Sequence, residues 1–112
     1  LLAPLAFLMG VPWHEAPTVA SLIGVKTVLN EFLAYQHLGD LMAAGQLGER
    51  SRVIASYALC GFANFGSLAI LLGGIGGIAP SRRAEVASLG LRSILAGSLA
   101  SFMTACMAGL LT

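Results

Sequence analysis

The sequence predicts an all-α integral membrane protein, and its composition is the main reason. Of the 112 residues, 57% are hydrophobic and only 10% are charged, and the mean hydropathy is +0.87. A soluble domain of this size needs far more charge to keep its surface wet. The composition therefore implies a lipid bilayer as partner, and a net charge of +1 gives no basic face for nucleic acid.

The apolar segments divide the chain into four elements. We expect the end of one scaffold helix, a re-entrant helical hairpin, one interrupted transmembrane helix and one final transmembrane helix, at residues 1–13, 14–46, 51–79 and 86–112 respectively. The first element ends at Pro12, which cannot continue a helix, and Trp13 is typical of a membrane interface. This order predicts a multi-pass membrane protein.

The second element carries polar residues inside an apolar run, GVKTVLNEFLAY at 24–35. In a straight spanning helix, Lys26 and Glu31 would each cost about 2.5–3.5 kcal/mol near the bilayer centre. The apolar arms on either side are each too short to cross the bilayer, and Gly24 offers a flexible break. We therefore expect a re-entrant hairpin whose tip, from Lys26 to Glu31, faces a polar cavity and not lipid.

The third element contains the stretch CGFANFGS at 60–67 within a charge-free segment. Gly61 and Gly66 each weaken a helix by up to about 1 kcal/mol relative to alanine, and a buried Asn64 must find partners for its amide. Transporters form substrate sites from such interrupted helices. A kinked packing helix explains the motif equally well, but a polar hairpin tip facing the break favours a binding site.

The fourth element has a stripe of small residues at four-residue spacing, namely Gly97, Ser101, Ala105 and Gly109. Such a stripe allows a neighbouring helix to approach closely. We expect it to pack within the same polypeptide and not to form a dimer interface.

Several stretches resemble the concentrative nucleoside transporter family. GVKTVLNEFLAY is similar to the family signature G-x-K-x-x-x-N-E-F-V-A-Y, with Leu33 in place of the usual valine. The stretches LMGVPW, ALCGFANFGS, APSRR and TACMAGLL, at 8–13, 58–67, 79–83 and 104–111, are similar as well. The resemblance covers essentially the whole chain in one order. It implies the C-terminal portion of a longer Na⁺/nucleoside symporter-like protein.

The resemblance also implies roles for individual residues, here Glu31, Asn64, Ser67 and Phe62. Glu31 of the hairpin, with Asn64 and Ser67 of the interrupted helix, would hydrogen-bond the ribose, and Phe62 would line the pocket. An ionised carboxylate is an acceptor only and suits the hydroxyl donors of ribose. At the tip, Asn30 would orient the backbone, while Lys26 would form a structural ion pair with Glu31 or cap the tip.

Further implications concern the whole transporter. Nucleosides would be imported by alternating access, coupled to Na⁺ or H⁺ at a site in the upstream part of the protein and not in this stretch. The protein would be a homotrimer in the plasma or inner membrane, and this segment would move with the remainder of the transporter chain. Gly66 stands where many members carry serine, which leaves purine or pyrimidine preference open.

An intramembrane enzyme that uses Glu31 as acid or base is the alternative function. Such an enzyme needs a nucleophile, a second catalytic carboxylate or a metal cluster. None stands at a suggestive spacing, and the adjacent pair His14 and Glu15 lacks a third metal ligand. We therefore expect a transporter with no metal site in this stretch.

Overall fold

The computed structural model describes all residues from Leu1 to Thr112 and contains six α-helices, one short 3₁₀ turn and no strand. The helices are α1 (Ala3–Leu8), α2 (Ala16–Val28), α3 (Glu31–Ala43), α4 (Glu49–Leu59), α5 (Phe65–Ile78) and α6 (Arg83–Leu111), with the 3₁₀ turn at Pro80–Arg82. The all-helical prediction is confirmed. The long axis of the molecule is 49 Å.

The longest helix is α6, which has 29 residues. Together with the 3₁₀ turn it forms the segment Pro80–Leu111, the one helical segment long and apolar enough to cross a membrane by itself. The helix begins at Arg83 and not at residue 86, so Arg83 and Glu85 belong to its first turn and not to a loop. A carboxylate in the first turn of a helix is favourable because the N-terminus carries partial positive charge.

The helices α2 and α3 pack against each other and have 13 residues each. At 1.5 Å per residue, each is about 20 Å long. The chain does not break at Gly24, which lies inside α2. It breaks at Leu29 and Asn30, because Asn30 adopts an extended conformation and its side chain accepts a hydrogen bond from the Leu33 backbone N–H at 2.9 Å. This cap starts α3.

The helices α4 and α5 are separated by a non-helical stretch, Cys60 to Asn64. Gly61 has a φ of +132°, which residues with a side chain rarely adopt. Asn64 then caps α5, since its Oδ1 accepts the Ser67 backbone N–H at 2.7 Å. The carbonyl that the break frees at Cys60 accepts a hydrogen bond from the Ser101 hydroxyl of α6 at 2.7 Å.

The small-residue stripe of α6 lies against other parts of the chain. Ser101, Ala105 and Gly109 are buried. A Cβ at Gly109 would lie only 2.7 Å from the Met9 carbonyl oxygen, and one at Gly97 would lie 3.0 Å from the Ala63 Cβ. Small residues are needed here because α6 packs against the chain break and the end of α1.

Candidate functional site

The two chain breaks meet at a hydrogen bond between Asn64 and Glu31. The Asn64 Nδ2 donates to the Glu31 Oε2 at 2.8 Å. Glu31 is the first residue of α3 and Asn64 caps α5, so the contact joins the N-terminal ends of two helices. Both ends carry partial positive charge, so an acidic side chain is well placed between them.

Asn64 is fully buried and both halves of its amide have partners. Its oxygen accepts from the Ser67 backbone and its nitrogen donates to Glu31. The half-buried Glu31 accepts this one hydrogen bond, which leaves its Oε1 without a protein partner. A carboxylate with one anchored oxygen and one free oxygen is suited to accept hydrogen bonds from a polar ligand.

A cavity of about 540 Å³ opens beside this contact. Its volume falls within the usual range of small-molecule sites, roughly 300–1,000 Å³. It is lined by Leu29, Asn30, Glu31, Phe62, Gly66, Ser67, Ile70 and Leu71. The cavity therefore combines the tip between α2 and α3 with the break and first turns of α5.

A second cavity of about 320 Å³ lies on the α6 side of the break. Phe62, Asn64 and Ser67 line it together with Ser93 and Gly97 of α6. Phe62 and Ser67 thus line both cavities, and the Phe62 side chain is 77% exposed. An aromatic ring this exposed is available to cover an apolar or aromatic part of a ligand.

Lys26 lies apart from the other candidate residues. Its side chain is fully buried, and its Nζ has no hydrogen-bond partner. The expected ion pair with Glu31 is wrong, because no Lys26 nitrogen lies within 4.0 Å of a carboxylate oxygen. Lys26 does not line either cavity. Asn30, in contrast, both caps α3 and lines the larger cavity.

The backbone of Leu29 also belongs to the site, although the sequence does not predict it. A Cβ at Gly66 would lie 3.0 Å from the Leu29 carbonyl oxygen and 3.3 Å from the Asn64 Oδ1. The hairpin tip and the first turn of α5 thus approach each other closely at Gly66. No signal in the sequence identifies a main-chain oxygen as the neighbour of a particular glycine.

Two further contacts that fix the site were also missed. The Tyr35 hydroxyl donates to the Ser56 carbonyl at 2.6 Å and ties α3 to α4. The Ser101 hydroxyl bonds Cys60 at the break. The four-residue spacing of the small residues on α6 placed Ser101 on a packing face, but it gave no indication of this acceptor.

The chain contains no group of three or more His, Cys, Asp or Glu residues that could hold a metal ion. The side-chain donors and acceptors that line the cavity beside Glu31 are one carboxylate, one amide and one hydroxyl, from Glu31, Asn30 and Ser67. The fold and this cavity define an apolar, all-helical protein with a polar site where two breaks in the chain meet.

Comparison with known proteins identifies the family. Residues 1–109 match the family described as Na⁺ dependent nucleoside transporter C-terminus, and the chain belongs to this family of integral membrane proteins. The resemblance stated from the sequence is therefore confirmed.

Relatives from bacteria and mammals extend the comparison. The uncharacterized transporter YutK of Bacillus subtilis is 54% identical over 96% of this chain and 26% of its own length. Solute carrier family 28 member 3 of the mouse is 51% identical over 97% of this chain and 17% of its own length. Sodium/nucleoside cotransporter 1 of the rat is 43% identical over 99% of this chain and 19% of its own length. These relatives are named as transporters or solute carriers, and the chain spans about a quarter of their length or less.

Solved structures share the fold. CNTnw in an inward-facing substrate-bound state has a TM-score of 0.91 and 50% identity, over 97% of this chain and 27% of that one. A variant of CNTnw in an outward-facing state has a TM-score of 0.90 and 49% identity, also over 97% of this chain and 27% of that one.

Proposed function

We propose that this chain is the C-terminal part of a secondary active transporter that imports nucleosides together with a cation, through alternating access. The observation that carries the proposal is the Glu31–Asn64 contact beside a cavity that is large enough for a small polar molecule. The family and the names of the relatives supply the substrate class.

The chemistry of the cavity suits ribose. The free Oε1 of Glu31 would accept a hydrogen bond from a ribose hydroxyl, and hydrogen bonds to charged groups contribute about 1.5–3 kcal/mol each. The Ser67 hydroxyl, which lines both cavities, and the Asn64 amide, which lines the smaller one, would supply the remaining polar contacts from the α5 side. Phe62 would cover an apolar face of the ligand. A site of this kind rejects a ligand that lacks the hydroxyl, because the buried acceptor is then left unpaired.

The helix lengths support a re-entrant hairpin. At about 20 Å each, α2 and α3 are shorter than the hydrocarbon core of about 30 Å. The pair would enter the membrane and return, with the Leu29–Asn30 tip near its middle. The helices α4 and α5 would cross as one interrupted span, and α6 would cross as the last. Irregular backbone at that depth requires shielding by protein or water. The first turns of α5 and a water-filled cavity beside the tip would shield it.

The coupling ion is cargo of the transporter, and we propose Na⁺ because a relative is named a sodium/nucleoside cotransporter. Its site would lie in the part of the transporter that precedes this segment. Inward-facing and outward-facing structures of CNTnw support alternating access. We further propose a homotrimer in the plasma or inner membrane, as the family resemblance implies.

Uptake by cells that express the full-length transporter tests this function. Radiolabelled uridine and adenosine are supplied in Na⁺ buffer and in choline buffer, and the intracellular label is identified chemically. We expect unmodified nucleoside to accumulate above its external concentration in Na⁺ only. Conversion of the nucleoside by the purified protein, without accumulation, would instead support the alternative of an intramembrane enzyme that uses Glu31 as acid or base.

A further inference from the structure

A third cavity, of about 550 Å³, lies between α2 and α3 at the end of the hairpin remote from its tip. The side chains that make it polar are Thr18, Ser21, His37, Asp40 and Gln46. Residues three apart share one face of a helix, so the pairs on α2 and on α3 lie beside the same space. This cavity shares no lining residue with the two at the Glu31–Asn64 contact and is a separate site.

The polar side chains of this cavity have no partner within the chain. None of the five takes part in a side-chain hydrogen bond. The Asp40 carboxylate belongs to neither ion pair of the chain, which are His14–Glu15 and Arg82–Glu85. No lysine or arginine lines the cavity. A ligand that brings a positive charge with N–H donors would therefore supply what Asp40 lacks.

The depth of the cavity follows from its distance to the hairpin tip. Ser21 is eight residues before Leu29, and Asp40 is ten residues after Asn30. At 1.5 Å per residue, these positions lie about 12 Å and about 15 Å from the tip along the helices. Half of the hydrocarbon core is about 15 Å thick. With the hairpin upright and its tip near the middle of the membrane, as proposed above, the cavity lies where hydrocarbon meets the lipid headgroups.

Two apolar grooves continue from this cavity toward the tip. The first, of about 300 Å³, shares Pro17 and Ser21 with the polar cavity. The second, of about 350 Å³, shares Leu2 with the first and reaches Val28 at the end of α2. A Cβ at Gly24 would meet nothing within 4 Å, so the second groove is open there. From Pro17 to Val28 the grooves follow about 16 Å of α2, close to the half-thickness of the hydrocarbon core.

We infer that the polar cavity and the two grooves together bind one phospholipid whose headgroup carries an ammonium with N–H donors, as phosphatidylethanolamine does. The ammonium donates to the Asp40 carboxylate. The Thr18 and Ser21 hydroxyls and the Gln46 amide donate to the phosphate. One acyl chain follows the grooves along α2. This inference goes beyond nucleoside transport and rests on the proposed function only for the placement of the hairpin in the membrane.

The change from polar to apolar lining favours a lipid over a protein segment. An apolar helix from the remainder of the transporter chain could fill the grooves, but it would bring no cation to Asp40. The same carboxylate selects among headgroups. Phosphatidylglycerol has no cation to offer Asp40, and phosphatidylcholine has a cation without an N–H donor.

Native mass spectrometry of the purified full-length transporter tests the headgroup preference. The detergent contains equal amounts of phosphatidylethanolamine, phosphatidylcholine and phosphatidylglycerol, and collisional activation removes loosely held lipid. We expect the wild type to retain about tenfold more phosphatidylethanolamine than either other lipid, as one charged hydrogen bond implies, and Asp40→Asn to retain the three within about twofold of one another. Glu49→Gln, which removes an exposed carboxylate from α4, should keep the wild-type ratio.

Gly24→Leu tests the groove. The added side chain would occupy the open space beside α2, so retention of all three lipids should fall at least about threefold with the headgroup ratio unchanged. Gly73→Leu is the matched control, because a Cβ at this position of α5 also meets nothing within 4 Å and Gly73 lines neither groove. If Gly24→Leu does not fold, the exposed substitution Asp40→Asn decides the test alone.

Equal retention of the three lipids by the wild type, or an unchanged preference in Asp40→Asn, would overturn the inference. Wild-type retention in a folded Gly24→Leu would overturn it as well and show that a protein segment fills the grooves. Uridine uptake by the same wild-type protein keeps the two proposals apart. Uptake without a lipid preference would refute the lipid site alone, whereas a lipid preference without uptake would overturn the proposed function alone.

Discussion

The Glu31 carboxylate and the Asn64 amide are 2.8 Å apart although 33 residues separate them in the sequence. Each stands where a helix begins after a break in the chain. The contact therefore fixes the hairpin tip against the interrupted helix, and it brings one charged acceptor to the edge of the cavity. Glu31 and Asn64, which would be costly in lipid, satisfy each other's polar groups through this hydrogen bond.

Asn64→Ala should destabilise the transporter more than Asn30→Ala does. Both asparagines cap a helix, and loss of such a cap costs about 1 kcal/mol. Only Asn64 also donates to Glu31, so its removal leaves the carboxylate without its protein partner. Thermal unfolding of the two purified variants makes the comparison. Equal shifts in Tm would show that the Glu31–Asn64 bond adds nothing to stability.

Ser101→Ala should lower the free energy of unfolding by about 1–3 kcal/mol, because the Cys60 carbonyl at the break then has no partner. Thr104→Ala is the matched control, since that hydroxyl bonds only the Ala100 carbonyl of its own helix and is exposed. We expect the control to stay within about 0.5 kcal/mol of the wild type. A control loss as large as that of Ser101→Ala would contradict the role assigned to Ser101. Denaturation of the two variants measures both effects.

Gly66→Ala and Gly73→Ala should change stability in opposite directions. Both lie in α5, where alanine is favoured over glycine by up to about 1 kcal/mol. A Cβ at Gly73 meets nothing within 4 Å, so this change should raise Tm. A Cβ at Gly66 would press on the Leu29 carbonyl and force the tip to move, so Tm and nucleoside affinity should fall. A stabilising effect at both positions would show that the tip yields without cost.

Stability should fall in acid partly through Glu15. Its Oε1 accepts the Gly48 N–H at 3.0 Å at the start of α4. The Ser51 hydroxyl and this Gly48 N–H hold the pKa of the Glu15 carboxyl below its ordinary value, against the opposing effect of burial. A lowered pKa in the folded state means that the contribution is present above the unfolded pKa, about 4.3, and is lost as the pH falls below it.

Tm measured between pH 7 and pH 3.5 tests this contribution of Glu15. The wild type should lose more stability over this range than Glu15→Gln, whose amide does not titrate. Parallel curves for the two proteins would contradict the assignment.

Much of the helical organisation could be predicted from the sequence. The polar residues within GVKTVLNEFLAY and the glycines around Asn64 marked the two chain breaks that meet at the site. The break at Leu29 and Asn30 falls within the expected tip, Lys26 to Glu31, but the flexible break expected at Gly24 is wrong. Gly24 suits a break, but glycine is also tolerated inside a helix, and the capping hydrogen bond of Asn30 decides where α3 begins.

The partners within the site were harder to predict. The resemblance named Glu31 and Asn64, but only the fold shows that they bond each other while Lys26 stays apart. Opposite charges five residues apart suggested an ion pair. The turn at Leu29 and Asn30 places the two side chains on different helices, Lys26 on α2 and Glu31 on α3, so their spacing in the sequence does not set their separation.

Binding of nucleoside analogues to Glu31→Gln tests the central claim most directly. The full-length protein is compared with Glu49→Gln, the same chemical change at an exposed first-turn position of α4. Kd is measured for uridine and for its 2′-deoxy and 3′-deoxy analogues. We expect Glu31→Gln to weaken uridine binding at least about tenfold, as loss of a charged hydrogen bond implies, and to reduce discrimination against a deoxy analogue, while Glu49→Gln behaves as the wild type. Wild-type affinity and wild-type discrimination in Glu31→Gln would contradict the account.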